Sequence, residues 1–332
     1  MKTLRVFLLI FMVGACLLTG YSTPVTAAGK PIVLKCVAFL PHHPGGRFQN
    51  AVDWCNRITE QSKGELTIKF MGGAETMPEY QQVVAVRKGI VDIAWTIPAF
   101  YQGIVRETYG FAVSEISPAE ERANGFYDYI NKIHMKKGLV YLGRNRGDGF
   151  YWSVNKLVKD PKKDFKGIKV GVIGTFWNSG AKELGMVPVN NPIPERYSAM
   201  QRGVVDGGGI AGFGAGALHL GEVTKYIIDH PIFLGGSSAT IMNLKSWNNL
   251  PKHLQDLIMK EFINSENEMP EYFKMKVAED RVALEKQGTK FIKFSPEDAE
   301  WYVKIIHEAK WAELKKAAPN AYDKIRGMLK KK

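Results

Sequence analysis

Hydrophobic positions in the first part of the chain change repeatedly between the spacing of a strand and that of a helix. Residues 31–39, 65–70 and 90–95 are apolar or alternate with the period of two that strands show. Residues 47–61 and 78–88 carry apolar side chains at helical spacing, so each is expected to bury one face. This β-α-β-α-β order predicts right-handed parallel crossovers and a three-layer α/β domain.

The α/β pattern continues through the rest of the chain. Helices are predicted over 118–135, 251–287, 296–317 and 321–328, and strands over 138–146, 149–155, 167–173, 226–229, 238–243 and 290–294. Strand 238–243 is expected to return to the first part of the fold. Pro270 falls inside the long helix and predicts a kink there or a division into two helices.

The stretch from Gly149 to Trp177 carries the strongest hint of a binding site. Its two strands are joined by a charged connection that contains Pro161, so this connection lies on the surface. The second strand runs into Gly174 and Thr175, a helix start with Thr175 as the candidate N-cap. Open α/β sheets bind their ligands at such strand ends and helix N-termini.

One short phrase occurs twice in the chain. Arg87-Lys-Gly-Ile-Val-Asp92 is echoed by Gln201-Arg-Gly-Val-Val-Asp206, in both places after a predicted helix. Two similar α/β lobes would produce such an echo, and a single short match also arises by chance.

Residues Asp164 to Val172, D-F-K-G-I-K-V-G-V, resemble the stretch D-L-K-G-L-K-I-R-V of the DctP-like solute receptors of tripartite ATP-independent periplasmic (TRAP) transporters. The repeated G-x-x-D phrase and the position of the long helix are similar to that family as well. The resemblance implies an α/β, two-lobed periplasmic-binding-protein-like fold with a hinge, and a long late helix spanning both lobes. It also implies that an arginine grips the ligand's carboxylate at the position where this chain has Gly171.

The resemblance and the predicted elements together divide the chain into a leader and two discontinuous lobes. Residues 1–27 are expected to form a signal peptide. Lobe I comprises 28–147 plus about 236–275, and lobe II comprises 148–235 plus about 276–332.

The N-terminal residues predict export from the cytoplasm. Lys2 and Arg5 precede an apolar run that is too short to span a bilayer, and Val25-Thr-Ala-Ala28 provides a small-residue cleavage site. Val13-Gly-Ala-Cys16 resembles a bacterial lipobox, so a lipid anchor at Cys16 stays open beside simple cleavage. Both alternatives predict a periplasmic protein.

Composition and charge change this picture little. The chain has 332 residues, of which 45% are hydrophobic and 23% charged, as in ordinary two-domain globular proteins. Its formal charge of +12 is not gathered into basic clusters interleaved with aromatic residues, so a nucleic-acid partner is not expected. Cys36 and Cys55 remain after export, and a disulfide and two separately buried thiols both fit the sequence.

Rival chemistries find weak support. Gly207-Gly-Gly-Ile-Ala-Gly212 fits G-x-G-x-x-G, but an exported protein has little access to nicotinamide cofactors, so these glycines are expected to let the backbone approach a ligand or the other lobe. No G-x-S-x-G elbow is present, and His42-His43 lacks a third ligand. The sequence therefore predicts no catalytic residue, no cofactor and no metal.

Aligned on the resemblance, Phe150 and Ile210 stand at two further positions where relatives carry an arginine or an amide. Aromatic residues such as Tyr101 surround these positions, which favours an aromatic or otherwise largely apolar ligand. Any carboxylate would need another cation, for which Arg146 is the candidate, with a purely structural role as its alternative. The predicted ligand-binding residues are Phe100, Arg146, Phe150, Trp152, Gly171, Gly174, Thr175, Phe176, Ile210 and Phe213.

Taken together, these features predict a monomeric receptor that binds a small organic ligand between two lobes and presents it to the membrane subunits of a TRAP transporter, without catalysis. A secreted enzyme, and a binding protein of an ABC transporter or sensor with the same two lobes, are the alternatives.

Overall fold

The computed structural model describes residues 31–41, 48–145, 147, 149–173, 176–233 and 238–331. Eleven strands in these ranges form two sheets. The strands are β1 (Ile32–Ala38), β2 (Leu66–Phe70), β3 (Ile93–Thr96), β4 (Leu139–Arg144), β5 (Phe150–Val154), β6 (Lys169–Val172), β7 (Val187–Asn190), β8 (Gly207–Ala211), β9 (Tyr226–Ile228), β10 (Ala239–Asn243) and β11 (Lys290–Ile292).

The α-helices are α1 (Gln49–Gln61), α2 (Glu79–Lys88), α3 (Pro118–Ala123), α4 (Phe126–Met135), α5 (Asn178–Glu183), α6 (Arg196–Gln201), α7 (Leu244–Asn248), α8 (Lys252–Lys286), α9 (Pro296–Ala317) and α10 (Tyr322–Leu329). A 3₁₀ helix at Arg106–Val113 and β7 were not predicted from the sequence, whereas α6 is the helix expected before the second copy of the echoed phrase. The helix predicted over 118–135 is interrupted at Gly125, whose φ of 81° is left-handed and lies between α3 and α4.

The first sheet confirms the parallel crossovers and the returning strand. Its order is β2-β1-β3-β10-β4, in which β1 is parallel to β2 and β3. Strand β10, from late in the chain, is inserted antiparallel between β3 and β4. Helix α1 packs on this sheet through Trp54, Cys55 and Ile58, which are buried as the helical spacing predicts. Cys36 and Cys55 are both buried free thiols.

The second sheet has the order β11-β9-β5-β8-β6-β7. Strand β8 lies between β5 and β6, so the two strands of the Gly149–Trp177 stretch are not neighbours. Most of β8 is made of the glycines 207–209, for which the sequence predicted a close approach of the backbone but no strand. They form a strand because the neighbouring strands supply its hydrogen bonds. The space that Cβ atoms would fill is occupied by the Ser153 carbonyl, the guanidinium of Arg196 and the ring of Trp177.

Helix α8 connects the two sheets. Its first half is held to the first lobe by ion pairs from Arg57 to Glu261 (3.2 Å) and from Arg122 to Glu266 (2.8 Å). Its second half is held to the second lobe by Arg281, which pairs with Asp229 at 3.0 Å. Pro270 lies inside this one helix, so the predicted division into two helices is wrong.

The C-terminal helices also contact both lobes. Helix α9 packs against α5 and against the 3₁₀ helix 106–113, and α10 packs against that 3₁₀ helix and α4. Trp152 and Trp311 therefore share one hydrophobic core with Phe111 of the first lobe. The lobe boundaries stay a prediction. Helix α10, which was assigned to lobe II, also contacts lobe I.

Candidate functional site

The two sheets face each other across the connections that link them. The chain leaves the first sheet at the end of β4 and enters the second at the start of β5, and it returns from the end of β9 to the start of β10. Strands β6 and β8 end at this same edge of the second sheet, because β8 is antiparallel to β5 and parallel to β6. The candidate binding site is therefore expected between these two edges.

Three of the predicted ligand-binding residues come together at this edge. Phe150 lies edge-on to Phe176, with ring centroids 5.6 Å apart, and Trp152 contacts the same group of rings. Two residues that the sequence analysis did not select complete the cluster: Trp177 lies 4.8 Å from Trp152, and Phe233 lies 4.9 Å from Phe176.

The five rings differ in how they can meet a ligand. Trp152 and Phe233 are fully buried, and Phe176 and Trp177 expose 5% and 4% of their surface. Phe150 is only half-buried and thus presents the exposed part of the cluster. Four buried rings therefore hold the half-buried ring of Phe150 in place.

The other predicted residues are distributed around this cluster. Phe100 belongs to the first lobe, where its half-buried ring contacts Phe39 and Tyr80 at 5.5 and 4.7 Å. Phe213 is half-buried and lies just beyond β8. Three predicted residues, Arg146, Gly174 and Thr175, lie outside the described residues. Helix α5 begins at Asn178 with Trp177 at its N-cap, so the N-cap predicted at Thr175 is wrong.

Gly171 and Ile210 lie on the opposite face of the second sheet from the aromatic cluster. Gly171 pairs in register with Gly208, and an added Cβ at Gly171 would lie 2.5 Å from Nε of Arg196. An added Cβ at Gly208 would overlap Nη1 of the same guanidinium. Arg196 therefore fills the space that these two glycines leave open.

The guanidinium of Arg196 is held by neutral oxygen atoms. Nε donates to Oδ1 of Asn191 at 2.7 Å, Nη2 donates to the Asn191 carbonyl at 2.9 Å, and Nη1 donates to the Gly209 carbonyl at 3.1 Å. The residue exposes 1% of its surface, and this burial lowers the pKa of Arg196 to about 10. Within the described ranges, no carboxylate pairs with Arg196.

On the first lobe, three buried polar side chains at the facing edge have no hydrogen-bond partner among the described residues. The side-chain amide of Asn145, just after β4, is fully buried, and neither its nitrogen nor its oxygen is bonded within the described ranges. The same holds there for the hydroxyls of Thr96, at the end of β3, and Thr240, in the first half of β10. Because buried polar groups usually have partners, these atoms are available for hydrogen bonds to a ligand or to water.

Sequence reasoning missed Arg196, Asn145 and Trp177 for different reasons. Trp177 ends the aromatic stretch that begins at Gly149, so its aromatic neighbours were a usable signal. Arginine is usually exposed, and nothing in the local sequence of α6 indicates that two glycines from other strands make room for it. Asn145 has no local signal at all, because its significance comes from the edge where β4 ends.

No group of three His, Cys, Asp or Glu side chains suited to a metal ion occurs in the part of the chain that the structure describes. The pair His42 and His43 lies outside that part. Among the described helices, none is long and apolar enough to cross a membrane.

Comparison with known proteins agrees with this architecture. The sequence profile of the bacterial extracellular solute-binding proteins, family 7 (DctP), matches residues 45–316. A solute-binding protein of Albidiferax ferrireducens is 23% identical over 268 residues, which is 77% of this chain and 78% of that protein. A monocarboxylate 2-oxoacid-binding periplasmic protein of Nostoc sp. is 23% identical over 269 residues, covering 76% of this chain and 71% of the relative.

Solved structures show the same fold. A TRAP periplasmic solute-binding protein from Desulfovibrio salexigens with bound orotic acid superposes with a TM-score of 0.80 at 18% identity, covering 90% of this chain and 97% of its own. The Bordetella pertussis extracytoplasmic solute receptor DctP7, which binds pyroglutamic acid, gives a TM-score of 0.77 at 17% identity, covering 90% and 99%. The resemblance read from residues 164–172 is thus confirmed, and with it the two-lobed fold. The chain belongs to family 7 of the bacterial extracellular solute-binding proteins, the DctP family.

Proposed function

We propose that this protein is a periplasmic receptor that binds a small organic acid between its two lobes and delivers it to the membrane subunits of a TRAP transporter. The observation that carries the proposal is the family membership over residues 45–316. Relatives of the same fold hold orotic acid, pyroglutamic acid, succinate and malonate, which are all small carboxylic acids. The protein acts as a monomer, and its work is a change of lobe arrangement without any covalent step.

The acid has an apolar or aromatic body. Phe150 presents the exposed part of a five-ring cluster at the edge of the second sheet, and Phe100 is the aromatic candidate on the first lobe. A ring or hydrocarbon chain packed on Phe150 gains from burial and from edge-to-face contact. Across from it, the unbonded groups of Asn145, Thr96 and Thr240 suit polar substituents of the ligand.

A thermal-shift screen tests this function. The candidates are orotate, pyroglutamate, succinate, malonate, phenylacetate and phenylpyruvate, and at least one should raise the midpoint of unfolding in a concentration-dependent way. The acid should be recovered unchanged after incubation, as NMR would show, and chemical conversion would favour the enzyme alternative.

The Phe150→Ala variant tests the aromatic contact. It should weaken binding of phenylacetate or phenylpyruvate about tenfold, since a ring contact of about 0.5–1.5 kcal/mol is lost together with buried area. The Phe294→Ala variant is the matched control, because this half-buried ring packs on Tyr302 beside the far edge strand β11. Equal binding by both variants, or a preference for succinate over the aromatic acids, would contradict the apolar site.

A further inference from the structure

Among the described residues, Arg196 differs from the other two buried cations in having no acidic partner. Arg144 pairs with Glu121, and the ammonium of Lys310 pairs with Glu313. The half-buried Arg122 also has an acidic partner, Glu266. Arg196 has only the amide oxygen and carbonyl of Asn191 and the carbonyl of Gly209 among the described residues. Burying a cation without an anion is costly, so an unpaired buried guanidinium indicates that an anion joins it in the functional state.

The surrounding backbone is built to admit this side chain. Gly171 and Gly208 face each other in adjacent strands, and a Cβ atom on either one would collide with the guanidinium. The glycine at position 171 therefore does more than remove the arginine that the family resemblance implies there. It creates the space in which a positive charge from α6 reaches the plane of the sheet, at the position where the resembled receptors carry their arginine.

The guanidinium lies at the binding edge of the sheet. Asn191 follows β7, and its backbone N–H donates to the carbonyl of Val172, the last residue of β6, at 2.9 Å. Gly209 is the middle residue of β8. Three of the five guanidinium N–H groups are used by these neutral acceptors.

We propose that Arg196 is the residue that binds the carboxylate of the ligand, in place of an arginine at position 171. This inference rests on the proposed function and names the cation of that site. In the described arrangement Oδ1 of Asn191 accepts a hydrogen bond from Nε of Arg196. When the acid binds, a carboxylate oxygen of the ligand takes the position of this amide oxygen. A carboxylate offers the planar, charged counterpart that the guanidinium lacks.

Asn191→Asp is the sharpest variant for a test. It places a permanent carboxylate where Oδ1 now lies, 2.7 Å from Nε, with almost no change of shape. Such a variant should fold, because it pairs a charge that is already buried, and it should exclude the acid by satisfying Arg196 internally. Arg196→Met removes the charge instead. Asn190→Asp is the matched control, since it makes the same change at the exposed end of β7.

The experiment is calorimetric titration of the four proteins with orotate, pyroglutamate and phenylacetate, and with phenylacetamide as an uncharged analogue, after circular dichroism has verified folding. Asn191→Asp and Arg196→Met should weaken binding of the acids by about ten- to a hundredfold, and Asn190→Asp should change it less than about twofold. Phenylacetamide should bind all four proteins alike. Unchanged acid binding by Asn191→Asp overturns the role of Arg196 and leaves the receptor function standing. Failure of the unmodified protein to bind any acid overturns both.

Discussion

Nε of Arg144 donates to Oε1 of Glu121 at 2.7 Å, and both residues are buried at the point where the first sheet ends. Burial alone would lower the pKa of Arg144, but the neighbouring Glu121 carboxylate more than offsets this and raises it. A hydroxyl and a carbonyl, those of Ser114 and Ile116, also accept from its Nη2. Arg144 is therefore a structural cation whose charge is neutralised by a carboxylate of the protein, in contrast to Arg196.

Replacing Glu121 by Gln should destabilise the protein strongly. The variant leaves Arg144 buried without its anion, which typically costs about 3–5 kcal/mol. Urea unfolding followed by circular dichroism measures the loss. Glu271→Gln is the control, because its ion pair with Lys274 is exposed and such pairs contribute about 0–1 kcal/mol. Similar losses in the two variants would show that the Arg144 pair is not a buried structural bond.

Stability should fall in mild acid because of His134. Its ring is fully buried, between the Ile130 carbonyl and the Tyr101 hydroxyl, and burial lowers the pKa of His134 from 6.5 to about 4. The unfolded chain gains this proton near pH 6.5, whereas the folded protein stays neutral until about pH 4. The contribution of neutral His134 to the free energy of unfolding is fully present above pH 6.5. It decreases by about 3 kcal/mol as the pH falls toward 4.

Urea unfolding at pH 7 and pH 4.5 tests this dependence, with His134→Gln as the variant that cannot titrate. The free energy of unfolding of His134→Gln should change less between the two pH values than that of the unmodified protein. Equal changes would assign the acid sensitivity to other groups, such as His230 and His307, whose pKa values burial also lowers.

The two glycines under Arg196 allow a steric test. Gly208→Ala should destabilise the protein by about 1–3 kcal/mol, since its methyl group overlaps Nη1 of Arg196. Gly327→Ala is the opposite case, because Gly327 lies inside α10 with open space around it, and alanine should stabilise that helix by about 0.5–1 kcal/mol. Thermal unfolding distinguishes the two, and a neutral Gly208→Ala would mean that Arg196 does not occupy this space.

The sequence predicted the architecture well wherever periodicity and caps decide the structure. Helix α9 begins at Pro296 after its Ser295 cap, and it ends at Ala317 as predicted. The pattern failed at β8, because glycine has a low strand propensity and the strand depends on neighbours distant in sequence. It also predicted that Pro270 would kink or divide α8. The helix is not divided, and ion pairs to both lobes hold its two halves.

The candidate site could be predicted only in part. Phe150, Trp152 and Phe176 form the cluster with Trp177 because they occupy one strand and the connection that follows β6. The sequence around Gly171 does not indicate which side chain fills the space that this glycine leaves. The side chain that fills its space comes from α6, and only the register between β6 and β8 shows that Gly208 makes the same room.

The central claim is that two lobes close on a small acid, and X-ray scattering in solution measures this most directly. The protein should be compared alone and at saturation with whichever acid of the thermal-shift screen gives the largest stabilisation. Closure should decrease the radius of gyration reproducibly on adding the acid, and Asn191→Asp should show no such decrease at the same acid concentration. An identical scattering curve with and without the stabilising acid would contradict a receptor that works by closing its lobes.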